Sequence, residues 1–170
     1  MNKKIAWVIL FFIALILQRT LMPTFAIFGI CPDLIIYFVV FTALFHNPFY
    51  GLIVGAAIGF SEDLLAGKYI GLYTISKLSA AYVVAFVGAK FYKANFFIPT
   101  MAVLVATFVS NFVYLILADL LGAGMPIYGT VFRYILPQMI YNAVLAPFIY
   151  IPVYLFFTRK NALDDRGELD

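Results

Sequence analysis

The sequence predicts an all-α polytopic membrane protein with six transmembrane helices. Of its 170 residues, 65% are hydrophobic and 11% charged, against about 25% charged in an ordinary soluble domain. Apolar stretches fill almost the whole length and leave no polar block large enough for an extramembrane domain. Polar residues, Gly and Pro break these stretches into six spans, at 5–22, 32–46, 49–66, 70–91, 97–121 and 131–157. Residues 1–158 therefore form one membrane domain, followed by a short tail, 159–170.

The first span begins MNKKIAWVILFFIALIL, which has the basic and apolar parts of a secretory signal. It runs into LQRTLMPTF without a small-x-small cleavage site, so we expect a retained helix; a mature start near residue 27 is the alternative. The second span is short. At ~1.5 Å per residue it cannot cross a ~30 Å hydrocarbon core as a helix alone, so either Gly29 to Pro32 forms an extended lead-in or insertion is partial. The sixth span carries Pro137, Pro147 and Pro152, each lacking a backbone donor and expected to bend it. Gln138 and Asn142, four apart on that span, together with Ser110 and Asn111 on the fifth, are expected as polar packing groups. The terminal NALDDRGELD is mixed in charge and expected to be disordered.

With six spans, Lys3, Lys4, Lys90, Lys93, Arg159, Lys160 and Arg166 share one side, and Arg19, Lys68 and Arg133 the other, with Lys77 inside a span. That bias puts both termini in the cytoplasm. The net charge of +3 is spread between apolar segments, with no basic patch for nucleic acid. One cysteine, Cys31, forms no intrachain disulfide, and one histidine, His46, in HNP between two spans, reads as a turn or helix-end residue. No metal site, cofactor motif or nucleophile-base pair is present, which argues against an enzyme. Glu62 and Asp63 are adjacent, about 100° apart on a helix, and do not face each other. Asp33, after Cys31-Pro32, fits the start of a helix.

In the third span Gly51, Gly55 and Gly59 recur four apart, lie on one face and permit close backbone approach by a neighbour. The fourth span offers Ala81, Ala85 and Ala89 at the same spacing, headed by Lys77. An antiparallel hairpin about Ile70 pairs Gly51 with Ala89, Gly55 with Ala85, Gly59 with Ala81 and Asp63 with Lys77. An unpaired charge at that depth costs roughly 2.5 to 3.5 kcal/mol on insertion scales, so the expectation is an intramembrane ion pair, against hydration near the interface. Asp119 and Arg133, equally far from Pro126, form a second candidate pair, but both sit beside a Gly-rich loop expected near water, so hydration is the favoured reading here.

CPDLIIYFVVFTAL, the block GLIVGAAIGFSEDLLAGKYIGLYTISKLSAAY, and LPQMIYNAVLAPFIYIPVY together resemble the bacterial rod shape-determining MreD family, from about residue 5 to residue 157. The most specific part is Pro32, Asp33 and Leu34, followed by Gly59, Phe60, Asp63, Gly67 and Gly71 in GF-x-x-D-x-x-x-G-x-x-x-G; Glu62, where relatives often carry a small or apolar residue, is a departure. The resemblance implies a bundle similar to the S-components of energy-coupling-factor (ECF) transporters. It also implies a non-enzymatic cytoplasmic-membrane scaffold of the elongation machinery for lateral peptidoglycan synthesis. Its implied partners are MreC, MreB, RodA and a class B penicillin-binding protein, within the lipid bilayer. The alternative is a solute-binding membrane subunit. A cavity of about 300 Å³ or more, lined by Asp63, Lys77, Asn111 or Asn142, distinguishes that alternative from a cavity-free bundle with an apolar groove outside.

Overall fold

The computed structural model describes the backbone of residues 3–45, 48–67, 69–88 and 97–167. Its helices are α1 (Lys3–Thr20), α2 (Leu34–Phe45), α3 (Pro48–Ala66), α4 (Leu72–Gly88), α5 (Phe97–Leu120), α6 (Ile127–Thr130) and α7 (Leu136–Gly167), with a 3-10 turn at Met22–Phe25. A π-turn over Val131–Ile135 joins α6 to α7 in one rod. This widened turn lies directly before Pro137, whose ring would otherwise meet the carbonyl four residues back. By length and composition three helical stretches can cross a membrane, Phe49–Ala66, Phe97–Leu120 and Ile127–Tyr154. Phe11–Thr20, Leu34–Leu44 and Leu72–Phe86 are shorter and also apolar.

The centre of the bundle is the shortest full helix. Every residue from Ile35 to Leu44 is buried, in accord with a sequence that is apolar all round. Ile36, Val40, Ala43 and Leu44 pack with Val84, Ala85, Val103, Ala106, Ala146 and Tyr150 in one core. Ile35, Phe38 and Val39 pack with Leu15, Ile58 and Ala81 in a second. Outside, Ile140, Val144, Phe148 and Ile151 form an exposed apolar stripe along α7. Such a stripe is a liability in water and the ordinary exterior of a helix in lipid.

The short second span reaches the interior through an extended segment, since Cys31 to Asp33 are non-helical. The tail departs from expectation: the helix runs on to Gly167, through most of the NALDDRGELD segment expected to be disordered. Once nucleated, a helix adds one hydrogen bond per residue fixed, and no glycine or proline intervenes before Gly167. His46, Lys68, Ala89, Lys90 and Lys93 lie outside the described residues.

Candidate functional site

Non-helical backbone inside a membrane protein must find partners within the protein. Four backbone groups of the lead-in to α2 do so. The Cys31 carbonyl accepts from Gln138 Nε2 (3.0 Å) and the Pro32 carbonyl from Gln18 Nε2 (3.1 Å). The Asp33 N–H donates to Asn142 Oδ1 (3.0 Å) and the Leu34 N–H to Gln18 Oε1 (2.7 Å). Asn142 Nδ2 in turn donates to Thr107 Oγ1 (3.1 Å), and Asn111 Nδ2 to Gln138 Oε1 (2.8 Å) and the Thr107 carbonyl (2.9 Å). The amides of α1, α5 and α7 thus grip one extended segment.

Asp33 caps α2, its Oδ1 accepting from the N–H groups of Ile35 (2.9 Å) and Ile36 (3.1 Å). Its Oδ2 accepts from Lys77 Nζ, which lies 3.6 Å from Glu62 Oε2. Lys77 therefore pairs with Asp33 and Glu62, and the expected Asp63–Lys77 pair is corrected. Asp63, fully buried, instead caps α4: its carboxylate accepts the N–H groups of Gly71 (2.9 Å), Tyr73 (2.8 Å) and Thr74 (3.0 Å) and the Thr74 hydroxyl.

With it goes an offset of one to two helical turns between α3 and α4 from the expected register. A Cβ on Gly55 would lie 2.7 Å from Ala81 Cβ, and one on Gly59 would lie 2.4 Å from the Tyr73 carbonyl oxygen. One on Gly51 would lie 2.8 Å from Ala43 Cα, so the first glycine faces α2. The expected pairings of Gly59 with Ala81 and Gly55 with Ala85 are replaced accordingly, while that of Gly51 with Ala89 falls on a residue outside those described; Ala85 packs in the core with α2 and α5. A backbone cap satisfies a carboxylate with several donors at once, which one flexible ammonium cannot match. The turn itself needs Gly67 (φ 67°), whose N–H bonds the Asp63 carbonyl, and Gly71 (φ 106°), which presents its N–H to the Asp63 side chain. Phe60 points outward, exposed.

Asp119 and Arg133 are both exposed, and among the described residues no ion pair joins them, so the candidate pair does not form. Both side chains are exposed beside the Gly-rich loop, where an ion pair gains little.

A cavity of about 810 Å³ opens where α1, α3 and α5 end and α2, α4 and the π-turn begin. Lys77, Asn111, Asp33, Glu62 and Gln138 line it, with Arg19 and Arg133 also contributing. Asp63 and Asn142 do not. A second concavity, about 190 Å³ and apolar throughout, lies between α1 and α7 over a floor of Leu34, Tyr37, Phe38 and Phe41 from α2. The described residues contain no group of three or more His, Cys, Asp or Glu able to hold a metal.

Gln18 and the contacts of Lys77 with Asp33 and Glu62 were not anticipated from the sequence. The available signal was a count: a non-helical stretch at 29–33 in an apolar chain needs amide side chains elsewhere, and Gln18 is one of few.

The model of a family described as rod shape-determining protein MreD matches residues 1–160. No curated protein and no solved structure matches the chain. The family match spans every helix that builds the polar end, including both caps of the PDL and GF-x-x-D elements, and the chain belongs to the rod shape-determining MreD family.

Proposed function

We propose that this chain is a non-enzymatic scaffold of the cell-elongation complex. It crosses the bacterial cytoplasmic membrane six times as a single domain with both termini inside, and binds MreC and, with it, MreB, RodA and a class B penicillin-binding protein. The observation that carries this reading is the family match over residues 1–160. Two features support it. Lysine and arginine placement favours cytoplasmic termini. The apolar groove between α1 and α7 has the shape and chemistry to seat side chains of one further membrane helix. Co-purification of the tagged full chain with MreC from membranes tests it. Filling the groove by Ala14→Phe should reduce recovery at least tenfold while the chain still folds. Recovery of the wild-type chain without any of these proteins would overturn the reading.

A second reading, a solute-binding subunit with a bundle similar to the S-components of ECF transporters, is favoured by one specific observation. The polar cavity exceeds the size of an ordinary small-molecule site's lower limit, about 300 Å³, and includes Lys77 and Asn111. The two readings occupy different surfaces and are compatible.

A further inference from the structure

The neighbouring acids Glu62 and Asp63 end α3 in opposite conditions. Asp63 has a full set of donors. Glu62 is buried to about nine-tenths of its side chain and lines the cavity, and its Oε2 has no hydrogen-bond partner. Its nearest cation, Lys77 Nζ, is 3.6 Å away and already bonded to Asp33. The cluster of Asp33, Glu62 and Lys77 thus holds two carboxylates against one ammonium in the cavity wall, with Glu62 Oε2 buried and unsatisfied. A buried acceptor in that condition lacks a donor, preferably a charged one.

Toward solvent the balance reverses. Arg19 and Arg133 line the same cavity, both exposed, and among the described residues neither pairs with a carboxylate. The cavity is therefore polarised, with an unmet acceptor inside and guanidinium groups suited to an acidic oxygen outside.

We propose that this cavity binds a zwitterion, its primary ammonium donating to Glu62 and its phosphate or carboxylate held by Arg19 and Arg133. The inference rests on the second reading above and names its ligand class. A phospholipid headgroup of the ethanolamine type and a free amino-phosphate share this chemistry, and about 810 Å³ accommodates either.

The test uses the full chain in phosphatidylcholine nanodiscs, with occupancy read by native mass spectrometry and thermal unfolding. Adding phosphatidylethanolamine to the discs, or O-phosphoethanolamine to the buffer, separates the two sources: a saturable response to only one identifies it. Phosphocholine, whose trimethylated nitrogen donates no hydrogen bond, should bind at least tenfold more weakly than O-phosphoethanolamine on the wild-type protein. Glu62→Gln should abolish that discrimination, and Arg19→Gln with Arg133→Gln should weaken both ligands together. The methylation comparison needs no variant, so a misfolded Glu62→Gln leaves the test intact. Equal binding of the two head groups overturns the proposal. Phosphatidylglycerol binding equally well with and without Glu62 also overturns it while sparing a ligand-binding cavity, and no binding by any probe removes both.

Discussion

The two ends of the bundle are held by different chemistry. Where α2 runs toward α3, contacts are apolar: Val40, Phe41, Ala43 and Leu44 against Val84, Val103, Ala146 and Tyr150. Where α2 and α4 begin, the contacts are polar, with Gln18, Asn111, Gln138 and Asn142 around an extended segment and Lys77 between Asp33 and Glu62. In lipid an apolar side chain loses little by turning outward, so the first end supplies cohesion and tolerates small slides. A buried amide or carboxylate has no such freedom. Register is therefore set at the polar end, and the offset of α3 on α4 illustrates it: the register observed is one that satisfies Asp63 at the start of α4, not the pairing that small residues alone suggested.

That contrast breaks most readily at Lys77. Lys77→Met leaves Asp33 and Glu62 buried without a cation and should cost about 3–5 kcal/mol, measured by reversible unfolding in detergent. Adding Asp33→Asn should recover part of that loss, and strictly additive single effects would sink the claim that the pair acts as a unit.

Gly59→Ala should follow, at about 1–3 kcal/mol, because the new Cβ meets the backbone of Tyr73 at 2.4 Å and backbone moves less readily than a side chain. Asp63→Ala removes the α4 cap and should cost about 1–2 kcal/mol, with faster hydrogen exchange at Gly71, Tyr73 and Thr74 as its specific signature.

At the apolar end a volume-conserving swap, Leu44→Met, should cost less than about 1.5 kcal/mol and leave that exchange pattern unchanged. If it disturbed the α4 cap as strongly as Asp63→Ala, the division of labour between the two ends would fail. Least of all, Asp119→Asn, on an exposed carboxylate, should stay within about 0.5 kcal/mol of wild type.

Much of the fold was legible because bilayer constraints are written along the chain. The helices at 48–66, 72–88 and 97–120 lie within three residues of spans drawn from hydropathy and punctuation at 49–66, 70–91 and 97–121. Asp33 at the start of a helix was legible too, since a carboxylate before an apolar run signals a cap. Its second role was not. Lys77 stands 44 residues away, and which of three nearby acids it meets depends on how three helices converge. Gln138 and Asn142 were recognised as packing groups, but their target, the backbone of 31–33, lies on a different helix's approach and has no local signature.

The chain's own order of residues determined that it is helical, apolar and built for lipid. Hydrogen-bond satisfaction in a bilayer leaves such segments little choice, and local spacing reveals glycine faces and caps. Tertiary structure alone decided which acid takes the lysine, which takes the helix N-terminus and which keeps an open oxygen. Those outcomes turn on an offset of one to two helical turns, roughly 5 to 11 Å, between neighbouring helices. It is selected by the sum of polar contacts across the bundle and invisible to any single segment.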